Sequence, residues 1–151
     1  MAGRRDGRGS VKAGGREVTV SFDGASRGNP GRAAIGVVVL ENGIPVREIG
    51  ETIGVTTNNV AEYRALLRGL KEAAALGARA VRIQSDSELV VRQLSGRYQV
   101  KSQALAPLHR EALARMREFD RVSVVHVPRT ENESADALAN RALDRADATA
   151  R

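Results

Sequence analysis

The spacing of apolar residues divides the chain into strand-like and helix-like stretches. Apolar and polar positions alternate over residues 17–23, which is the period of a strand with one buried face and leaves Asp23 on the polar side. The glycine-rich stretch 24–31 is expected to form a turn. Two further apolar runs, at 33–40 and 44–53, flank an Asn-Gly turn and predict a pair of antiparallel strands.

The apolar period changes to that of helices in the middle of the chain. Residues 58–76 carry apolar side chains three and four positions apart and end at Gly77, a residue type that favours helix C-termini. The remaining predicted elements are a strand at 81–83, a helix at 88–94, a helix at 105–116, a strand at 122–127 and a helix at 132–143. Three consecutive strands followed by alternating strands and helices predict an α/β fold with a mixed five-stranded β-sheet flanked by helices.

The length of the chain favours a single folded domain. With 151 residues it is long enough to bury a core without disulfide bonds, and it contains no cysteine. No apolar run approaches the length of a membrane span and no signal-type segment follows the N-terminus, so a soluble, cytoplasmic and unprocessed protein is expected. We expect one domain at residues 17–144, a disordered tail at 1–16 and a C-terminal tail at 145–151.

The net charge of +6 favours a polyanionic partner, although most of it lies in the N-terminal tail. Residues 1–16 contain five basic residues and one acidic residue, so they carry +4 of the total. Five glycines and the lack of apolar periodicity in this segment predict disorder. The segment is interpreted either as a solvated extension or as a nonspecific tether for nucleic-acid phosphates.

Four carboxylates occupy positions close to the ends of predicted strands and helices. Asp23 and Asp86 follow strands, and they would meet if the first and fourth strands were neighbours, because ligands bind beyond the carboxyl ends of adjacent strands. Glu62 and Asp136 lie early in predicted helices, on stripes that continue with small or apolar residues. Both are therefore expected to point inward rather than to solvent.

Helix capping is the alternative explanation for single acidic residues in these phrases. Three pairs match the capping-box spacing, namely Asn59 with Glu62, Ser85 with Glu88, and Thr130 with Glu133. Four carboxylates at inward and strand-end positions would, however, repel one another and lose hydration, which a divalent cation would offset. Oxygen ligands without a nearby cysteine favour magnesium or manganese, so the set as a whole predicts a metal site.

These carboxylates lie in four short phrases whose order along the chain is informative. The phrases are D-G-A-S-R-G-N-P-G at 23–31, T-N-N-V-A-E at 57–62, D-S at 86–87 and N-E-S-A-D at 132–136. With them the chain resembles the type 1 ribonuclease H family over roughly residues 17–144, because the family's D-G-x-x-x-G-N-P-G, T-N-N-x-x-E, D-S and N-x-x-A-D phrases occur in the same order. The conjunction of the four phrases is far more specific than any one of them.

The resemblance implies a ribonuclease H-like fold and an endoribonuclease that hydrolyses the RNA strand of RNA/DNA hybrids to 5′-phosphate and 3′-hydroxyl ends. It implies two Mg²⁺ ions per site with substrate, or Mn²⁺ as the alternative metal, held by Asp23, Glu62, Asp86 and Asp136. The expected partner is an RNA/DNA hybrid, with no membrane and no obligate protein partner, and the expected state is a monomer. Two alternatives stay open: a noncatalytic nucleic-acid-binding module with this fold, and a DNA recombinase of the wider superfamily.

The same resemblance implies which residues contact the substrate. They are the Gly24 main chain, Ser26, Asn29 and Ser87 for the 2′-hydroxyl groups of the RNA strand, Asn58 and Asn59 for the minor groove, and Thr57 for a phosphate of the DNA strand. Backbone and sugar contacts carry little base information, so only a slight sequence preference is expected.

A fifth candidate catalytic residue lies in the segment before Asp136. Members of the family commonly use a histidine in a mobile loop there, for product release or proton transfer. His126 lies ten residues before Asp136 but within a predicted strand, where a structural role is the alternative. Arg129 follows in a Val-Pro-Arg phrase that resembles an archaeal-type subgroup in which arginine takes this place, so Arg129 is the expected catalytic residue. The second histidine, His109, is expected at the surface.

The chain departs from the better-known bacterial members of the family at one place. Those members carry a basic, tryptophan-rich helical insertion, the basic protrusion, that grips the hybrid. Here residues 96–101 form only a short bridge between two predicted helices, and the chain contains no tryptophan. The grip on a substrate is therefore expected to come from elsewhere or to be weaker.

Overall fold

The structure is a computed structural model, and it describes residues 15–149. The predicted disordered tail therefore lies almost wholly outside the described residues. The elements in chain order are β1 (Arg16–Gly28), β2 (Gly31–Glu41), β3 (Ile44–Thr56), α1 (Asn58–Ala75), β4 (Ala78–Ser85), α2 (Glu88–Leu94), α3 (Ala106–Met116), β5 (Arg121–His126), a 3-10 turn (Arg129–Glu131) and α4 (Glu133–Thr149). Within this part of the chain, no helix is long and apolar enough to cross a bilayer.

The strands form a single mixed sheet in the order β3-β2-β1-β4-β5. β1 pairs antiparallel with β2 and parallel with β4, while β2 pairs antiparallel with β3 and β4 pairs parallel with β5. The mixed five-stranded sheet predicted from the sequence is confirmed. The first and fourth strands are neighbours, which is the condition for Asp23 and Asp86 to meet.

β1 is longer than the sequence pattern predicts. The turn expected at 24–31 is confined to Asn29 and Pro30, because β1 continues to Gly28 and stays paired with β2 up to its end. β2 offers an unbroken row of backbone partners, and this tertiary context overrides the weak strand propensity of glycine. The parallel pairing of β1 with β4 stops earlier, at Ser21 and Gln84. Asp23 therefore lies within a strand, at the point where that strand loses one of its two neighbours.

Different helices cover the two faces of the sheet. Val18, Val20 and Phe22 point from β1 towards α1, where they join a large buried core with side chains of α1, α2 and α3. α4 packs on the opposite face, mainly on β2 and β3, through small side chains such as Ala139. Successive strand residues point to opposite faces, so Asp23 points to the side of α4 and the next residue, Gly24, to the side of α1.

The ends of the domain differ slightly from the predicted ones. α4 runs to Thr149, so the predicted C-terminal tail is wrong for residues 145–149. The sequence of this helix contains no glycine or proline that would stop it, and its Asp147 pairs with arginines of the β1–β2 hairpin. At the other end, Arg16 belongs to β1 and pairs with Glu41 at 2.6 Å instead of belonging to the tail.

Candidate active site

Three carboxylates converge at the end of the sheet where β1 is no longer paired with β4. Asp23 lies in β1, Asp86 directly follows β4, and Glu62 lies in the second turn of α1. One carboxylate oxygen from each of these residues lies within 4.8 Å of the corresponding oxygens of the other two. The parallel pairing of β1 with β4 brings the two aspartates together, and α1 adds the glutamate. Three negatively charged oxygens at this spacing can hold a divalent cation.

Glu62 is positioned both by the start of α1 and by β1. Thr57 caps the helix, and its Oγ1 accepts a hydrogen bond of 3.3 Å from the Val60 amide. Glu62 follows in the next turn, where it is buried, and its Oε1 accepts a hydrogen bond of 2.7 Å from the Gly24 amide. The capping alternative with Asn59 is therefore wrong for Glu62, whose carboxylate points to β1.

Gly24 permits this close approach because it has no side chain. A Cβ atom at this position would overlap the backbone of Ala61 and Glu62. Alanine or any larger residue would therefore force α1 away from β1. The glycine thus sets the distance between the strand that carries Asp23 and the helix that carries Glu62.

Asp86 lies in a tight connection between β4 and α2. The next residue, Ser87, caps α2, and its Oγ accepts a hydrogen bond of 3.3 Å from the Val90 amide. The Ser87 amide in turn donates to the hydroxyl of buried Ser85 at 3.0 Å. These bonds fix the backbone on both sides of Asp86. The cap of α2 is therefore Ser87, and not Ser85 as the capping-box spacing suggests.

Asn132 connects three parts of the site. Its buried side chain donates a hydrogen bond of 2.9 Å to the carbonyl of Phe22, the residue before Asp23. The same Nδ2 atom lies 3.5 Å from Oδ1 of Asp86. The Asn132 carbonyl accepts a hydrogen bond of 3.2 Å from the Asp136 amide, which places the first turn of α4 beside β1. From the sequence, Asn132 was identified only as part of the N-x-x-A-D phrase, and these contacts were not predicted.

Asp136 lies beside the three-carboxylate cluster. It is half-buried in the first turn of α4, and its carboxyl group is within hydrogen-bonding reach of that of Asp23. Asn140, one helical turn later, donates from Nδ2 to the Asp136 carboxylate at 3.1 Å. Sequence reasoning missed Asn140, although its position four residues after Asp136 was a usable signal. All four predicted carboxylates thus lie at the same end of the sheet.

Burial and mutual repulsion favour the protonated forms of two of these carboxyl groups. Burial raises the pKa of Asp23 to about 9, with further contributions from the charge of Glu62 and a hydrogen bond with Asp136. Burial also raises the pKa of Glu62 to about 7, although the hydrogen bond from the Gly24 amide acts in the opposite direction. A cation between these oxygens would favour their ionised forms, so the donor set fits a divalent metal ion.

The carboxylates of Asp23, Glu62 and Asp86 line an open cleft of about 630 Å³. Four of the residues predicted to contact the substrate also line it, namely Gly24, Ser26, Asn58 and Ser87. The other three, Asn29, Thr57 and Asn59, do not. The cleft therefore combines charged oxygens with neutral hydrogen-bonding groups.

Three of the predicted substrate contacts form one hydrogen-bond network between the β1–β2 hairpin and α1. The Asn58 side-chain oxygen accepts hydrogen bonds from the Ser26 amide at 2.9 Å and from the Ser26 hydroxyl at 3.0 Å. Asn29 completes the network, because its Oδ1 accepts a hydrogen bond of 3.0 Å from the Asn58 amide. Asn29 therefore supports Asn58 from outside the cleft.

Both candidates for the fifth catalytic residue, His126 and Arg129, line the same cleft. His126 is the last residue of β5, Arg129 begins the 3-10 turn, and both are exposed. Both therefore stay candidates for a role at the cleft. His109, expected at the surface, is half-buried: its ring packs edge-on against Tyr63 at 6.2 Å between centroids, and its Nε2 lies 3.1 Å from the Gln93 carbonyl.

The sheet order, the parallel pairing of β1 with β4 and the carboxylates beside it define an α/β protein of the ribonuclease H-like class. The family described as reverse transcriptase-like matches residues 21–142. The chain is 49% identical to ribonuclease HI of Halobacterium salinarum over 131 residues, which cover 86% of this chain and 66% of that relative. The chain belongs to the type 1 ribonuclease H family.

Solved structures confirm the fold. The N-terminal RNase H domain of Rv2228c from Mycobacterium tuberculosis matches with a TM-score of 0.85 at 44% identity, covering 90% of this chain and 99% of that one. LC11-RNase H1 in complex with an RNA/DNA hybrid matches with a TM-score of 0.81 at 40% identity, covering 85% and 98%. The chain spans 66% of the curated Halobacterium relative and 36% of the curated bifunctional protein Rv2228c.

We expect the stability of the metal-free protein to fall as the pH rises. The raised pKa values of Asp23 and Glu62 mean that the folded protein keeps protons that the unfolded chain has already released. This contribution to stability is complete below about pH 4 and is lost as the pH rises towards about 9. The measurement is the free energy of unfolding in urea at several pH values, in the presence of a chelator.

Asp23→Asn is the matched variant for this experiment, because it keeps the size of the side chain but cannot ionise. Its free energy of unfolding should depend less on pH than that of the wild type. Saturating Mg²⁺ should stabilise the wild type most at high pH, where the carboxylates are charged. Identical pH profiles for the two proteins would contradict the interaction between the carboxylates.

Gly24→Ala should destabilise the protein by about 1–3 kcal/mol and should weaken Mg²⁺ binding, because the added methyl group must push α1 and Glu62 away from β1. The control is Ala25→Gly at the next position, which points to the other face and should cost about 1 kcal/mol or less. Urea unfolding gives the stability, and the rise in melting temperature with Mg²⁺ gives the relative metal affinity. If Gly24→Ala bound Mg²⁺ as tightly as the wild type does, the close approach of α1 to β1 would not be what positions Glu62.

Proposed function

We propose that this protein is an endoribonuclease that hydrolyses the RNA strand of RNA/DNA hybrids at a divalent metal centre. The observation that carries the proposal is the meeting of Asp23, Glu62 and Asp86, with oxygens within 4.8 Å, in a cleft that also contains neutral hydrogen-bonding groups. Charged oxygens suit a cation, and the neutral groups beside them suit a sugar-phosphate backbone. A module that only binds nucleic acid would gain nothing from a buried carboxylate cluster that repels phosphate.

Two relatives support the proposed substrate. LC11-RNase H1, to which this chain is 40% identical, has been crystallised in complex with an RNA/DNA hybrid. The Halobacterium relative carries the name ribonuclease HI. We extend this substrate class to the present chain because its cleft carries the hydrogen-bonding groups that contact with a hybrid requires.

We assign the metal to Asp23, Glu62 and Asp86, with Asp136 as a fourth ligand. Mg²⁺ is the proposed ion and Mn²⁺ the alternative, with two ions per site in the presence of substrate. The bound metal would activate the attacking water and neutralise charge on the leaving 3′ oxygen, giving 5′-phosphate and 3′-hydroxyl products. The protein itself keeps the carboxylates together, through the Gly24 amide on Glu62 and through Asn132.

Ser26 and Asn58 are the groups that we propose to distinguish RNA from DNA. The Ser26 hydroxyl donates to the Asn58 side-chain oxygen, which leaves the serine lone pairs and the Asn58 side-chain protons for a sugar. A 2′-hydroxyl both donates and accepts hydrogen bonds, so it can use both groups. Ser87 adds a further hydroxyl next to Asp86, and the Gly24 main chain lines the same cleft.

The remaining predicted contacts act from outside the cleft. Asn29 orients Asn58 through the backbone amide. Thr57 is the N-cap of α1, and a helix N-terminus favours an anion such as a phosphate of the DNA strand. Asn59 is exposed in the first turn of the same helix, where we propose that it contacts the minor groove.

Asp23→Asn, Glu62→Gln and Asp86→Asn should each lower hybrid cleavage by about a thousandfold or more, because a metal centre contributes several kcal/mol to the transition state. Asp136→Asn should have a milder effect. Hybrid binding should be largely kept, since each substitution preserves the shape of the side chain. The measurement is cleavage of labelled RNA/DNA hybrid, double-stranded RNA and double-stranded DNA, each with Mg²⁺, Mn²⁺ or chelator.

The control for these variants is Asp120→Asn, which removes an exposed carboxylate just before β5, at the end of that strand away from the cleft. It should keep wild-type turnover. A folded Asp23→Asn protein with wild-type turnover would contradict the assignment of the site. A wild-type protein that binds hybrids with Mg²⁺ present but does not cut them would favour a noncatalytic module.

Arg129→Ala should lower kcat on saturating hybrid by about tenfold to a hundredfold, and His126→Ala should have a smaller effect. The reason is that a guanidinium group stays charged and can contact a phosphate of the substrate or product. Both side chains are exposed, so neither substitution should change the melting temperature. A larger loss for His126→Ala would give the loop role to the histidine.

A further inference from the structure

Ion pairs connect the β1–β2 hairpin with the C-terminal half of α4. The Arg27 guanidinium donates to Oδ1 of Asp144 and to Oδ2 of Asp147, both at 2.6 Å, and Arg32 pairs with the other oxygen of Asp147. Arg27 and Arg32 are opposite each other in the hairpin. Asp144 and Asp147 are three residues apart on one side of the helix. We call these four residues the hairpin clasp.

The hairpin that the clasp holds also carries a proposed substrate contact, Ser26, and the residue that orients another, Asn29. Ser26 directly precedes Arg27, and Asn29 lies at the tip. On the side of α1, the two residues are joined to Asn58 by three hydrogen bonds of 2.9 to 3.0 Å. The tip of the hairpin is therefore fixed on two sides, by neutral hydrogen bonds to α1 and by charged ones to α4.

The helix on the other side of the clasp carries a proposed metal ligand. Asp136, Asn140, Asp144 and Asp147 are three or four residues apart, so they form one stripe along α4. Asn140 donates to the Asp136 carboxylate at 3.1 Å, and its carbonyl lies 3.5 Å from Nη2 of Arg27. The stripe thus connects the metal end of α4 with the hairpin.

The charges in the clasp argue against Arg27 as a simple phosphate contact. Its guanidinium already has two carboxylate partners at 2.6 Å, so it presents little net positive charge to a polyanion. Its side chain is 35% exposed, and exposed ion pairs add little to global stability. Two charged hydrogen bonds near the tip of the hairpin do, however, fix the orientation of the hairpin.

We propose that Arg27 is a positioning residue for the nuclease reaction. Through Asp144 and Asp147 it holds the β1–β2 hairpin against α4, and this keeps Ser26 and Asn58 in the geometry that contacts the RNA strand. The effect on hybrids rests on the proposed function, whereas the fixed hairpin is a property of the free protein. The two parts can therefore be tested separately.

The first test is made on the free protein. In Arg27→Ala, the backbone amides of Ser26 and Asn58 should exchange with solvent about threefold faster or more, because both donate hydrogen bonds within the network next to the clasp. The matched control is Arg79→Ala, which breaks an exposed 2.6 Å ion pair with Asp120 and should leave these two amides unchanged. Unchanged exchange in Arg27→Ala would overturn the proposal, whatever the substrate of the protein.

The second test is hybrid cleavage by the double variant Asp144→Asn/Asp147→Asn. Removing two negative charges should strengthen the binding of a polyanion if they act only through the long-range field. A positioning role of the hairpin clasp predicts the opposite. KM should rise about fivefold, which corresponds to the free energy expected for a network of exposed ion pairs, while kcat stays nearly unchanged. Adding Arg27→Ala to this variant should cause no further loss, because the three residues act as a unit.

A lower KM in the double variant would overturn the proposal and would make Arg27 a direct phosphate contact. Arg27→Lys separates the two roles again, since it keeps the positive charge but cannot reach both carboxylates at once. An intermediate KM supports the two-sided contact, and a wild-type KM would overturn it. If the wild-type protein cleaves no hybrid, the proposed function fails, but the amide exchange result still decides whether the hairpin clasp exists.

Discussion

The structure depends on keeping together negative charges that repel one another. Burial and the charge of Glu62 raise the pKa of Asp23 to about 9, so ionising the cluster is unfavourable without a cation. The carboxylates cannot supply the force that keeps them close, so contacts between the strands and helices that carry them must do so. Gly24 and Asn132 are the two places where this is visible: the first lets α1 touch β1, and the second joins the start of α4 to β1.

One strand supplies both the core and the site because its side chains alternate. Val18, Val20 and Phe22 point to one face and are almost completely buried, which stabilises β1 against α1. Asp23, at the next position, points to the other face just beyond the last residue of β1 that pairs with β4. The strand stays paired with β2 from Thr19 to its end at Gly28, so the carboxylate is held by a rigid element although one neighbour is missing. A loop at this position would not restrain the carboxylate to the same degree.

Periodicity and local phrases predicted the elements and the four carboxylates, and they failed where distant contacts decide the outcome. The helix expected at 88–94 agrees with α2, since Ser87 caps it and Gly96 follows it. The turn expected at 24–31 is only two residues long, because the glycine-rich sequence before it has no strand signal of its own and takes its conformation from β2. His109 is more buried than expected for a related reason: charged residues follow it in sequence, but its ring packs against Tyr63, far away in the chain. Such pairings have no local signal.

The absence of the basic insertion makes the rigidity of the hairpin more important. A cleft lined by carboxylates repels a polyanion until cations neutralise it, so under the proposed function the neutral groups in the cleft would contribute most of the orientation of the substrate. A small number of contacts gives useful affinity only when the groups that make them lose little conformational freedom on binding. Ser26 and Asn58 satisfy this condition because they are already hydrogen-bonded to each other, and Asn29 accepts a further hydrogen bond from the Asn58 amide. In this chain, hydrogen bonds within the protein thus order the neutral groups of the cleft before any substrate binds.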